Sequence, residues 1–269
     1  MTHEPPRATL RVALAQAELA WHDPEANFAA LDALTREAAA GADLVVLPET
    51  FPTGFAMDPA RAGADVGARA HAFLAGCARR SGAWFCGSTP HYLPVAKAYV
   101  NRMLVVGPAG QTHHYDKRHR FAMAGEREAY GEGDARPVVV AVRGWRILLQ
   151  VCYDLRFPVF SRNRAGDGGY DLAVYVANWP RPRREHWTTL LRARAIENQA
   201  YVVGVNRTGT DGNGLAYAGG SVAFDAVGAP LVELGEAPAV RAVDLSAGGL
   251  ADLRAQLPFL RDADGFALT

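Results

Sequence analysis

The sequence predicts an α/β fold in which mixed β-sheets are covered by helices. Two observations carry that prediction. Apolar, strand-like runs alternate with helix-periodic stretches, as in strand–helix–strand units, and other runs are paired through Gly-containing turns, as in hairpins. The chain also lacks an internal repeat, a low-complexity linker or a break in composition, so all 269 residues are read as one domain.

Each element follows from a local signal. Residues 10–15 (LRVALA) read as a strand. Asp23-Pro24 is a good helix start, and Phe28, Leu31, Leu34, Thr35 and Ala38 share one face before Gly41 ends the run. LVVL at 44–47 is a short apolar strand of the kind buried on both faces. A helix is expected around 68–80 and a strand at 84–88. Strands at 99–106 and 111–115 are joined by Gly-Pro-Ala-Gly, and strands at 138–142 and 145–151 flank Arg143-Gly144. The pattern then returns to strand (172–177), helix (184–200, with Trp187, Leu190, Leu191, Ala195 and Asn198 on one stripe) and strand (201–205). Later strands are expected near 221–225, 231–233 and 240–244, with a last helix near 250–257.

Composition narrows the function. Hydrophobic residues make up 49% and charged residues 21%, an ordinary globular balance. Zero formal net charge argues against an electrostatic grip on nucleic acid or on an anionic membrane. No apolar run approaches the roughly 18 residues that span a bilayer. The opening Met-Thr-His-Glu-Pro-Pro lacks a basic-then-apolar signal pattern. Three scattered cysteines, Cys77, Cys86 and Cys152, suit the reducing cytoplasm better than a disulfide framework. No GxGxxG or GxxxxGK[ST] motif supports nucleotide binding. His113, His114 and His119 lack metal-ligand spacing, so no metal is expected.

Three reactive residues stand just beyond apolar runs: Glu49 after LVVLP, Lys117 after HHYD and Cys152 after ILLQV. Ligand sites gather where a rigid sheet positions such loops. A thiol can form a thioester, a carboxylate can move its proton, and a lysine can stabilise an oxyanion. Each also has a plain structural reading, as a buried small hydrophobe, a helix cap and a solvated basic turn.

Their surroundings decide between the two. LVVLPETFPTGF, HYDKRHRF and LQVCYDLRFPVFSRN resemble the nitrilase superfamily of carbon–nitrogen hydrolases, in order and in spacing, over about residues 10–244. The stretch YVANWPRPRREHWTTLLRARAIENQAYVVGVNRTGTDGNG is similar to the omega-amidase branch, which hydrolyses the terminal amide of α-keto acids such as 2-oxoglutaramate and 2-oxosuccinamate. The resemblance implies a four-layer αββα sandwich, a homodimer, a small-molecule amide substrate, and neither metal nor organic cofactor.

Carried over by position, Cys152 would be the nucleophile, Glu49 the general base and Lys117 the oxyanion-stabilising cation. Glu126, in GEREAYGEG, matches a second glutamate of the family. The N–H of Tyr153 would complete the oxyanion hole. For the substrate carboxylate the first candidate is Arg156, whose structural rival is a salt bridge to Asp154 or Glu49, and the second is Arg207. Phe51, Tyr153 and Trp179 could line the apolar part of the pocket or belong to the core. The Arg181–Glu185 cluster could serve as an anion patch but reads first as a solvated helix start. One departure is visible: Gly220 stands in YAGGS where relatives often carry an aspartate, which puts local order there in question.

The same catalytic set serves nitrilases, N-carbamoyl amino-acid hydrolases and small-amide amidases, so another hydrolase of the superfamily is the main alternative. A catalytically silent scaffold is the more remote one. A last observation concerns lysine. The chain carries 26 arginines and about 50 alanines but only two lysines, Lys97 and Lys117. Such a bias reflects genome-wide base composition, and a lysine that persists under it invites a chemical reason. Lys97 lies in a turn-like stretch and is expected to face solvent.

Overall fold

The computed structural model describes residues 6–268; most of the stretch read for a signal pattern lies outside them. The chain runs β1 (Thr9–Gln16), α1 (Pro24–Ala39), β2 (Leu44–Val46), α2 (Val66–Ser81), β3 (Trp84–Leu93), β4 (Ala98–Val106) and β5 (Thr112–Asp116). A short helix α3 (Glu126–Ala129) precedes β6 (Val138–Val142), β7 (Trp145–Val151), β8 (Leu172–Ala177), α4 (Arg184–Asn198) and β9 (Tyr201–Asn206). Then follow β10 (Thr208–Thr210), β11 (Ala216–Ala218), β12 (Val222–Phe224), β13 (Pro230–Glu233), β14 (Ala239–Ser246) and α5 (Ala247–Gln256).

Two six-stranded mixed sheets form, in the orders β14-β1-β2-β3-β4-β5 and β13-β12-β9-β8-β7-β6, with β10 and β11 as a separate hairpin. In the first sheet β1, β2 and β3 are parallel; in the second, β7, β8 and β9 are. Alternation along the strands builds the layers. Leu10, Val12, Leu14, Leu44 and Val46 point into the core shared with the second sheet. Ala13, Ala15, Val45 and Leu47 point the other way, onto Leu31, Leu74 and Ala78 of α1 and α2. On the far side, Trp187, Leu191 and Ala195 of α4 close over the second sheet. The expected αββα sandwich is the one observed.

Local departures have physical causes. The strand expected at 84–88 runs on to Leu93 because its partner β4 continues the pairing to Ala98. Lys97 sits exposed in that hairpin turn at φ 51°. Cys77 and Cys86 are buried on α2 and β3. The β10–β11 hairpin and α3 were not legible, being only a few residues each. Gly220 does not loosen its loop. It adopts φ 73°, a conformation that favours glycine, and its carbonyl accepts a 2.9 Å bond from Trp187 Nε1. No helix among the described residues is long and apolar enough to cross a membrane.

Candidate active site

Glu49 follows β2, Lys117 follows β5 and Cys152 follows β7, so the two sheets deliver the three side chains to one rim. All are buried, and the fully enclosed Glu126 joins them from the start of α3. Lys117 Nζ donates to Glu49 Oε1 at 2.9 Å and to Glu126 Oε1 and Oε2 at 2.7 and 2.9 Å. Asn101 of β4 donates to Glu49 Oε1 at 2.9 Å and to Glu126 Oε1 at 3.4 Å. The other Glu49 oxygen accepts from the backbone N–H of Asn178 at 2.8 Å, while Phe121 N–H donates to Glu126 Oε2 at 2.5 Å. The four predicted catalytic residues are therefore brought together.

Burial works against every charge here, and the pairs set what survives. For Lys117, burial favours loss of the proton, but Glu126 first and then Glu49 outweigh it and raise the pKa above its ordinary value. Burial raises the Glu126 carboxyl, with Lys117 opposing. The Cys152 thiol is pushed well above its ordinary value by burial and then by the Glu49 charge, again against Lys117. Cys152 thus stands as a thiol beside Glu49.

The backbone is strained where the chemistry gathers. Cys152 has φ 45° at the step from β7 into the turn Cys152–Arg156, and Thr50 has φ 42° just after Glu49. Asp154 holds the first of these in place. Its enclosed carboxylate accepts from Val151 N (2.9 Å), Tyr115 Oη (2.8 Å) and His119 N (3.1 Å), and His119 Nδ1 lies 2.8 Å away. Tyr115 and His119 flank Lys117, so one carboxylate ties the lysine segment to the cysteine turn. Thr50 is held by Ser88 Oγ, which accepts its N–H at 2.8 Å, and by Asn178 Nδ2, which donates to Thr50 Oγ1 at 3.0 Å.

A cavity opens on Cys152, lined also by Phe55, Phe121, Tyr153, Arg156, Trp179 and Arg183, and by Asp211 and Tyr217 of the β10–β11 hairpin region. Tyr153 and Trp179 line it as anticipated. Arg156 does too, and makes neither of the salt bridges weighed for it: its guanidinium lies 4.7 Å from the Trp179 ring centroid, with Nη2 3.2 Å from His186 Nδ1. Two expectations are corrected. Phe51 packs among Phe28 and Phe73 under α1 and α2, because the turn after β2 directs it away from the rim, and Phe55 takes the place in the cavity. Arg207 is enclosed beneath the hairpin, donating to Thr208 O and Leu19 O at 3.0 Å each, over the Tyr217 ring.

Sequence reasoning passed over Asn101 and Asn178, weighed Asp154 only as a partner for Arg156, and read Arg183 only as part of a helix-start cluster. A polar residue inside an otherwise apolar strand was the available signal for Asn101; the others needed the fold. Cys152 Sγ lies 4.0 Å from the Asn178 carbonyl oxygen, so the residue after β8 touches both Cys152 and Glu49.

A sandwich of this kind, with a cysteine, a lysine and two glutamates at one rim, is the architecture of an amide-cleaving thiol hydrolase. The chain belongs to the carbon–nitrogen hydrolase family, whose profile matches residues 11–255. It is 48% identical to the omega-amidase YafV of Yersinia enterocolitica, over 97% of this chain and 99% of that one. It is 45% identical to omega-amidase YafV of Escherichia coli, over 96% and 98%. A carbon–nitrogen hydrolase superfamily protein of Xanthomonas campestris, solved with an arsenic adduct in its active site, superposes at TM-score 0.90 with 41% identity, covering 98% of this chain and 100% of that one.

The Asp154 strap yields a stability test. Asp154→Asn places an amide donor against the Val151 or Tyr115 donors, and it leaves a buried group unsatisfied at a cost of about 1–3 kcal/mol. Thermal denaturation should show a clearly lowered midpoint; an unchanged midpoint would mean the four contacts hold nothing together.

Proposed function

We propose that the chain hydrolyses the terminal amide of α-keto acid ω-amides, such as 2-oxoglutaramate and 2-oxosuccinamate, to the free acid and ammonia. The observation that carries this reading is the near full-length identity to proteins named omega-amidases, 45% and 48%. Lys117 and the carboxylates beside Cys152 supply the chemistry it requires.

Glu49 takes the proton of the Cys152 thiol as the sulfur attacks the amide carbon. Charge moves onto the amide oxygen, which Lys117 Nζ and the N–H of Tyr153 receive. Protonated Glu49 passes its proton to the nitrogen, the carbon–nitrogen bond breaks and ammonia leaves. A water deprotonated by Glu49 then attacks the thioester, releasing the acid and restoring the thiol. Glu126 positions this cycle by holding Lys117 through two oxygens. Arg156, at the cavity wall, takes the carboxylate at the end of the substrate opposite the amide. The family's habit of pairing helices across an extended sandwich implies a homodimer, and three free cysteines suit the reducing cytoplasm.

A substrate panel tests the assignment. Turnover should favour 2-oxoglutaramate and 2-oxosuccinamate over glutamine, N-carbamoyl acids and a simple nitrile, and Cys152→Ala should abolish it. Preference for a nitrile or carbamoyl acid would move the chain to another branch. Lys117→Arg should lower kcat/KM by about 10²-fold with an unchanged circular dichroism spectrum, because a planar guanidinium cannot put a point charge where the ammonium sits. Near wild-type activity would make the lysine a matter of composition only.

The pH dependence of thiol labelling tests Glu49. A raised thiol pKa means less thiolate at any given pH, so alkylation that needs free thiolate keeps climbing as pH rises. In Glu49→Gln the carboxylate's contribution is lost but burial, the larger cause, still raises the thiol, so the iodoacetamide rate at Cys152 should keep increasing through about pH 8.5, where an ordinary thiol levels off. The wild-type profile should be flatter, since Glu49 accepts the proton within the step. Identical profiles would remove Glu49 from that role.

A further inference from the structure

The Arg181–Glu185 segment was read as a solvated helix start, and for two of its arginines that holds. Arg181 donates to Glu236 at 2.9 and 3.0 Å, and Arg184 reaches the same carboxylate at 3.4 Å. Arg183 differs. Its guanidinium turns into the cavity that opens on Cys152 and lies 5.5 Å from the Phe121 ring centroid. Among the described residues it forms no ion pair, and neither does Arg156 on the same cavity wall.

Trp179 ties the two arginines together. Arg156 lies over its ring, and its indole N–H donates to the carbonyl of Arg183 at 2.7 Å. Asp211, also on the cavity wall, is already committed: its oxygens accept from Asn213 N, Leu215 N and Tyr217 Oη at 2.9, 3.0 and 2.9 Å. Two guanidiniums therefore face a largely aromatic cavity, and neither is ion-paired with Asp211 or another carboxylate among the described residues. An anion bound in that cavity is attracted by both guanidiniums.

We propose that Arg183 is a specificity-determining residue that pairs with Arg156 to hold the anionic end of the substrate. The inference rests on the substrate reading above and sharpens it. An α-keto carboxylate presents two carboxylate oxygens and an adjacent oxo oxygen, more acceptors than one guanidinium fork can serve. Arg156 and Arg183 together select amides that carry this group over neutral amides of the same length.

The test separates anion recognition from the reactivity of the thiol. Cys152 is alkylated with iodoacetamide, a neutral reagent, in the presence of increasing 2-oxoglutarate, the acid released from 2-oxoglutaramate. In Arg183→Gln the concentration giving half-protection should rise about tenfold relative to the unprotected alkylation rate, the loss expected for one charge-assisted hydrogen bond. The turnover preference for 2-oxoglutaramate over pentanamide should fall in parallel. Unchanged half-protection overturns the role of Arg183. So does a loss of protection matched by an equal loss of alkylation rate, which would mark a general distortion of the site. Failure of the wild-type protein to hydrolyse 2-oxoglutaramate would instead overturn the substrate reading, and the protection experiment would still report whether Arg183 binds the anion.

Discussion

The buried ammonium of Lys117 is the constraint on which the site depends. Burying a lysine and two glutamates is costly, and removing one member of such a cluster costs about 3–5 kcal/mol because its partners are left uncompensated. The cost is contained only because Lys117 touches both carboxylates at 2.7–2.9 Å while Asn101, Asn178 and Phe121 supply further donors. Those donors come from β4, the end of β8 and the loop before α3, so the charge cluster dictates how both sheets meet at the rim. Burial first, and then Glu49 against Lys117, raise the Cys152 thiol above its ordinary value.

Alignment across the two sheets is the second requirement. Lys117 belongs to the first sheet and Cys152 to the second, and nothing in strand pairing fixes their distance. Asp154 does so by binding the segments on both sides of Lys117 and the backbone just before Cys152. The positive φ of Cys152 can persist because these contacts over-determine the turn. A displacement of about 1 Å between reacting groups can cost about 10²-fold in rate, so this bracing bears directly on turnover.

The identity of the reactive residues was legible because chemistry restricts them: a nucleophile, a proton carrier and a fixed cation each admit few side chains. Glu49, Lys117, Cys152 and Glu126 were readable as positions in motifs, and they meet. Pocket walls follow a weaker rule. Phe51 and Phe55 are equally plausible aromatics in PETFPTGF, and only the direction of the chain after β2 sends the first into the helix-covered core. Arg207 and Arg183 traded expectations for the same reason. An arginine next to a strand was drawn under a hairpin, while one in an apparently solvated cluster turned inward once Glu236 had taken its neighbours.

By itself, then, the sequence determined the layers and the chemistry. Period-2 and helical patterning depend on local backbone geometry, and catalytic side chains depend on intrinsic reactivity; both can be read one segment at a time. Tertiary structure alone decided how each charge is paired, which arginines line the cavity and what braces the cysteine turn. Those properties arise from burial and from contacts between segments far apart in the chain, such as Asn178 on Glu49 and Asp154 beside His119. Electrostatics in a protein depends on what surrounds a charge, and no single segment contains its own surroundings.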